Sequence, residues 1–204
     1  VTDLNIPKLN EVTKIDNRWA LVSDYVEGTT LGQLMEDHPD KMDEYLDLFV
    51  SIQMEMLSKI VPLLNRIKEK FKSRIEKAEG LTDNTRYELL ERLDGMRDHT
   101  KLCHGDFVPS NIIIKDNGEH FIIDWSHATQ GNGSADAATT YLKLTRAGKS
   151  EIAEKYLDLY CEKTDTAKIL VQRWIPIVAA VELTRGNAED EEFLKKWVDV
   201  VDYQ

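Results

Sequence analysis

Apolar positions change their spacing several times along this chain. Near the N-terminus they come in short runs, 6–12 and 18–26, on either side of Asp16-Asn17. Strand-length runs around a turn-forming pair predict a hairpin. Glu27-Gly28-Thr29-Thr30-Leu31 then reads as a linker feeding a short Thr-capped helix. Over 41–96 the spacing becomes helical. Met42, Tyr45, Leu46, Phe49, Ile52, Met56, Leu57 and Ile60 make one stripe, interrupted by Pro62. Leu63, Leu64, Ile67, Phe71 and Ile75 make a second, ending at Gly80, and Tyr87, Leu89, Leu90 and Leu93 fall in a third helix over 82–96. Met and aromatic stripes of this kind are core, and the cations between Lys68 and Lys77 read as a solvated face.

The spacing shortens again after Leu102. Strands are predicted over 112–115 and 120–123, joined by Asp116-Asn117-Gly118. Closing that hairpin brings Asn111 and Asp124 to one end, with Asp106 in the loop just before it. Residues 126–133 read as loop, and Ser134 as the N-cap of a helix through 144 with Asp136 in its first turn, where a carboxylate suits the free amides. Further helices are predicted over 150–161, over 165–184 with a kink at Pro176, and over 191–201, with a stop at Arg185-Gly186-Asn187. The pattern is α+β.

Two carboxylates and a carboxamide in one polar volume, backed by buried strands, suit phosphoryl transfer, which demands positioning of Mg²⁺ and phosphate oxygens more than covalent chemistry. His104-x-Asp106-x-x-x-x-Asn111, then strand, turn, strand and Asp124, follows the order of a kinase catalytic loop and metal-binding Asp. Gly105 stands where protein kinases carry Arg, and Trp125-Ser126 where they carry Phe-Gly. His-Gly-Asp-x-x-x-x-Asn with Ile-Asp-Trp resembles the aminoglycoside phosphotransferase and choline kinase-like family.

That resemblance implies a protein kinase-like fold, here mainly the helical C-terminal lobe (29–204) with a remnant of the N-terminal lobe and hinge (1–28). It implies Asp106 as the base toward the attacking hydroxyl, and Asn111 and Asp124 as ligands of Mg²⁺ bridging the phosphates of ATP or GTP. Backbone groups of Asp24 and Val26 would meet the adenine edge, while His104 and Asp136 support the catalytic loop. A glycine-rich loop and a strand Lys paired with a helix Glu are not found in the chain, which begins at Val1 rather than Met; they are expected upstream. The acceptor is expected to be a small molecule, since no Ala-Pro-Glu element follows Asp124. The alternative is a catalytically inactive nucleotide or small-molecule binding module of the same fold. A metallohydrolase using His104, Asp106, Asp124 and His127 is a weaker rival, because the chain lacks paired-His spacing.

The acidic surplus, 37 residues against 26 basic for a net charge of −11, argues against a nucleic-acid partner and leans toward a cationic acceptor. Glu182, Asp190, Glu191 and Glu192 read as solvated acids near the chain's end. No leader pattern and no run near eighteen apolar residues is visible, so neither a membrane span nor secretion is predicted and the cytoplasm is the expected location. Cys103 and Cys161 are too few for a disulfide framework. The N-terminal hairpin offers a free sheet edge, a surface for pairing with a second copy.

Overall fold

In the hairpin predicted at the N-terminus, Asp16 and Asn17 both take positive φ, 48° and 64°. That two-residue turn matches the twist of β1 (Leu9–Ile15) against β2 (Arg18–Ser23), antiparallel with Ile15 opposite Arg18. The computed structural model describes residues 3–185 and 190–199. β1 starts three residues later than the apolar pattern suggests, and its register shifts between Leu9 and Glu11. Most of the hairpin is exposed, Trp19 by 74%.

β3 (Thr29–Thr30) leads into α1 (Leu31–Asp37), where Thr30 Oγ1 accepts from the Gln33 amide at 3.2 Å as the predicted cap. α2 (Met42–Leu57) buries the expected stripe. It stops before Ile60, which is 71% exposed, and Leu63 is 98% exposed, so the helical pattern overshoots at both residues. Pro62 lacks an amide donor, and the backbone there serves a strand edge instead. The Leu102 amide donates to the Lys59 carbonyl at 2.9 Å, and Gln130 Nε2 donates to the carbonyls of Pro62 and Leu64 at 3.0 and 2.6 Å.

α3 (Ile67–Lys77) and α4 (Asp83–Asp94) follow, the latter capped by Thr82. Leu89 and Leu93 of α4 are buried one turn apart, while Tyr87 is exposed rather than buried. Next come β4 (Lys101–Cys103), β5 (Ile112–Ile114), β6 (His120–Ile122) and β7 (Thr129–Gly131). They form the sheets β3-β5-β6 and β4-β7, beside β1-β2. The β5–β6 turn closes with the Gly118 amide donating to the Lys115 carbonyl at 2.9 Å and Gly118 at φ 84°. It is therefore a turn with a left-handed Gly after it, one residue longer than a two-residue Asn-Gly turn. β7 replaces part of the predicted loop; all three of its residues are buried and carry no apolar alternation to announce a strand.

α5 (Gly133–Arg146) is capped by Asn132, whose Oδ1 accepts from the Ser134 amide at 2.9 Å, not by Ser134 itself. It is buried from Gly133 to Leu142 and runs through the middle of the helical packing. α6 (Ser150–Thr164) lies against it. The long helix expected next is two, α7 (Lys168–Gln172) and α8 (Ile175–Leu183). Pro176 sits in the first turn of α8, where a missing amide costs nothing, so it starts a helix rather than kinking one. α9 (Glu191–Val198) ends the described chain; the predicted stop at Gly186-Asn187 and the helix end at Val201 lie outside the described residues. No helix among the described residues is long and apolar enough to cross a membrane.

The core gathers around Phe49 stacked on Phe107 at 4.7 Å, with Tyr156 5.5 Å from Phe49 and Trp174 edge-on to Phe71 at 6.3 Å. β7 meets α3 so closely that a Cβ on Gly131 would stand 2.2 Å from Ile67 Cγ2. Gly131→Ala should therefore overpack this contact and cost about 1–3 kcal/mol. A lowered urea midpoint at unchanged slope is the expected reading; an unchanged midpoint would contradict this packing.

Candidate active site

The segment after β4 is held from inside the protein. Gly105 sits at φ 74°, and a Cβ there would come 2.7 Å from the His127 carbonyl oxygen. The position is closed to Arg, which gives a physical reason for His-Gly-Asp in this chain. The Gly105 amide donates to Asp136 Oδ1 at 2.7 Å, and Asp136 is fully buried in the first turn of α5. Gln53 Nε2 approaches its other oxygen at 3.4 Å. Burial pushes the Asp136 carboxyl above its ordinary value, against the opposing pull of the Gly105 amide and of His104. One turn further along α5, Thr140 Oγ1 donates to the Phe107 carbonyl at 2.6 Å. With the Phe107 ring in the core, the loop is gripped on both sides of Asp106, and the Asp106 side chain is left half-buried at the cavity wall.

His104 stands behind this loop. It is buried, and its Nε2–H donates to the Ile123 carbonyl at 3.0 Å. Nδ1 is buried without a partner. Burial lowers its pKa, against the pull of the nearby carboxylates of Asp136, Asp106 and Asp124. With Nε2 committed and Nδ1 enclosed, it cannot serve the metal ligation that the hydrolase reading required.

Asn111 ends a one-turn 3₁₀ helix, Pro109–Asn111. Its Nδ2 donates to the Asp106 carbonyl at 2.9 Å, and its own carbonyl accepts from the Ile123 amide at 2.9 Å. That bond extends the β5–β6 ladder, in which Ile112 faces Ile122, and sets Asn111 and Asp124 at the same end as the hairpin pattern predicts. Asp124 itself is left-handed, φ 58° and ψ 61°, a conformation that costs an L residue about 1–2 kcal/mol. Its exposed carboxylate accepts from Ser126 Oγ at 2.7 Å. Asn111 and Asp124 thus present an all-oxygen donor set, suited to a small hard dication that keeps positions for water and phosphate oxygens. Among the described residues no group of three His, Cys, Asp or Glu is placed to hold a metal.

Lys143, in the last turns of α5, is the charged partner of Asp106 that sequence pattern did not reveal. Its Nζ bonds Asp106 Oδ1. Burial would raise the Asp106 carboxyl, but the Lys143 hydrogen bond and charge, with Arg185 and His104, outweigh it and hold the group below its ordinary value. Nothing marked Lys143 in advance, because a Lys near a helix C-terminus is an ordinary sight. Asp106, Asn111 and Lys143 share a cavity of about 580 Å³. Asp24 and Val26 line a separate one of about 600 Å³ with Gly28 and Phe121, and the Asp24 amide is already taken by the Lys8 carbonyl at 2.9 Å.

Two surface readings are corrected. The α3 cations are not simply solvated: Lys70 is half-buried and its Nζ donates to the His127 carbonyl at 2.9 Å. Glu182 is only 5% exposed and pairs with Arg185 at 3.0 Å, while Arg185 Nη2 reaches the Gly105 carbonyl at 3.5 Å. Asp190 pairs with Arg146 at 3.1 Å; Glu191 and Glu192 make surface pairs with Lys195 and Lys196. His127 is pushed down to about 4, first by burial and then by Arg185 and Lys70.

Comparison with known proteins gives the fold and the family. No curated protein matches the chain by sequence. Among solved structures, a thermostable mutant of aminoglycoside phosphotransferase APH(4)-Ia, in ternary complex with ADP and hygromycin B, is similar at TM-score 0.70 and 16% identity, over 98% of this chain and 77% of that one. Amicoumacin kinase hAmiN, in complex with AMP-PNP, Ca²⁺ and Ami, is similar at TM-score 0.62 and 11% identity, over 96% and 71%. Choline kinase LicA from Streptococcus pneumoniae is similar at TM-score 0.52 and 18% identity, over 94% and 75%. These likenesses establish the kinase-like α+β fold. The model of the APH family, described as the phosphotransferase enzyme family, matches residues 18–170, well over half of the sequence, and the chain belongs to that family.

Proposed function

We propose that the chain transfers the γ-phosphoryl group of ATP to a hydroxyl of a small molecule, with Asp106 as base and Asn111 and Asp124 as the Mg²⁺ ligands. The observation that carries this is the linkage of the three residues through one backbone network: Asn111 bonds the Asp106 carbonyl, and the Ile123 amide beside Asp124 bonds Asn111. ATP is preferred to GTP as donor because similar structures hold ADP or AMP-PNP. Bound Mg²⁺ would neutralise phosphate charge and orient the donor.

The residues of the chain divide the remaining work. Asp106 accepts the proton of the acceptor hydroxyl as its oxygen bonds the γ-phosphorus and the bond to the β,γ-bridging oxygen breaks, releasing ADP. A carboxylate held low in pKa by Lys143 is a weak base, so it orients the hydroxyl first and takes the proton late, as a loose phosphoryl transition state permits. Lys143 adds positive charge in the same cavity. His104 and Asp136 act as positioning residues, through the Ile123 carbonyl and the Gly105 amide. The Asp24 carbonyl, its amide being held by Lys8, and the backbone of Val26 meet the adenine edge. Residues 1–28 serve as the hinge side of the site and 29–204 as its helical lobe. A cytoplasmic location fits the two free thiols, Cys103 and Cys161. The exposed β1–β2 edge supports a homodimer, checked by a sedimentation mass that doubles with concentration.

The competing reading, a binding module without turnover, draws on the ion pair that ties Asp106 to Lys143. The two separate on activity. Mg-ATP should raise the melting midpoint of the chain, and Asp124→Ala should abolish that rise. Asp106→Asn should keep the rise and lose turnover by about 10²–10⁴-fold. A chain in which Mg-ATP binds and Asp106→Asn changes no rate is a binding module.

Asp106 also fixes a pH dependence. Its folded pKa lies below its unfolded value of 3.8, so it adds stability above that pH, lost as pH falls through the folded pKa. Lys143→Met removes the opposing charge, burial then raises Asp106, and the sign reverses. The stability gap between the native chain and Lys143→Met should widen as pH rises through about 4, measured by urea midpoints. A gap independent of pH would refute the assignment.

A further inference from the structure

The chain carries a net charge of −11, and most of its described lysines meet a carboxylate: Lys59, Lys149, Lys155, Lys163 and Lys168 all do. One cavity departs from this habit. Its volume is about 950 Å³, large enough to enclose a small molecule, and Lys70, Arg74 and Lys77 of α3 line it. None of the three is in an ion pair among the described residues. Lys70 and Arg74 are half-buried and use neutral partners, the His127 carbonyl at 2.9 Å and Thr184 Oγ1 at 3.3 Å. The carboxylates in the lining, Glu69 and Glu79, are exposed at its rim.

The cavity approaches the reacting groups from the side of Asp124 and Gly105, while Asp106 and Asn111 line the separate 580 Å³ cavity. Ser126, which bonds Asp124, is part of its wall, and a smaller cleft joins Lys70 and Arg74 to Gly105 and Arg185. Like charges gathered there repel one another; burial, then Arg185 and Arg74, lower the Lys70 pKa, with only Glu182 opposing. Lys70 and Arg74 are held together at partial burial, the nearby Glu182 is already paired with Arg185, and Glu69 and Glu79 are exposed, so the local balance favours an anion from solution.

We propose that this cavity receives the phosphoryl acceptor and that the acceptor carries an anionic group, a carboxylate or phosphate, bound by Lys70, Arg74 and Lys77 while its hydroxyl faces Asp106. The proposal rests on the phosphotransferase reading and replaces the cation suggested by net charge alone. Local charge at the cavity, not the sum over the surface, acts on a bound ligand, because exposed charges beyond about 8–10 Å are screened.

The test is binding of four hydroxyl-bearing probes, glucose 6-phosphate, gluconate, glucose and glucosamine, to the full chain with Mg-AMP-PNP present. The two anions should bind at least about tenfold tighter than glucose, the worth of one charge-assisted hydrogen bond, with glucosamine weakest. Arg74→Gln with Lys77→Gln should remove the preference and leave Mg-AMP-PNP affinity intact. Lys77→Glu, at an exposed position without an ion pair among the described residues, should weaken the anions on its own. The proposal is overturned if glucosamine binds as tightly as the anions, if no probe binds, or if the double variant loses the nucleotide instead, which assigns the cations to the donor phosphates. Failure of the phosphotransferase reading looks different: the anion preference persists while Mg-AMP-PNP binding is absent or indifferent to Asp124→Ala.

Discussion

The hydrogen bond from the Gly105 amide to the buried carboxylate of Asp136 is the constraint on which the site depends. A carboxylate is costly to bury, and this one is enclosed in the first turn of a helix that is itself buried along most of its length. Its cost is offset by the helix N-terminus, the Gly105 donor and the approach of Gln53. In return the loop between β4 and β5 is fixed to that buried helix. Gly105 must be left-handed and without a Cβ to make the bond, so one requirement sets two residues far apart in sequence.

From that anchor the remaining geometry follows in short steps. Phe107 locks into the aromatic core on one side of Asp106, and His104 braces Ile123 on the other. Ile123 carries Asp124 into its left-handed conformation, and Asn111 links back to Asp106. The site is thus built from backbone hydrogen bonds of a few residues, with the core supplying stiffness. Such preorganisation is what phosphoryl transfer asks of a protein.

Much of this was legible in the sequence, and the gaps have physical causes. Asn111, Asp124 and the hairpin between them could be placed because strand alternation and turn chemistry are local signals. The same holds for the Asp16-Asn17 turn and the Thr30 cap. Lys143, Glu182 and Lys70 could not be placed, because their roles arise where α5, α8 and α3 meet the loop, and each looks like an ordinary helix-surface residue in one dimension. Ile60 and Leu63 misled for the converse reason: they continue a helical stripe after the backbone has left the helix to bond with Leu102 and Gln130. Pro176 was correctly seen as special and assigned the wrong service, since a Pro in a first turn and a Pro at a kink differ only in where the helix begins.

Charge shows the same division between sum and place. The chain is acidic overall, yet Lys143 meets Asp106, and Lys70, Arg74 and Arg185 line the neighbouring cleft beside one buried carboxylate, Glu182. An acidic exterior with a cationic interior cleft is a coherent arrangement for handling phosphate. The central claim is that Asp106, Asn111 and Asp124 act together on a phosphoryl group, and ³¹P spectra of Mg-ATP incubated with the chain and a mixed pool of hydroxyl acceptors test it most directly. The account predicts that the γ-phosphate signal gives way to ADP and a phosphomonoester, and that Asp106→Asn and Asp124→Ala each stop the change. Formation of the phosphomonoester at an undiminished rate in either variant would contradict it.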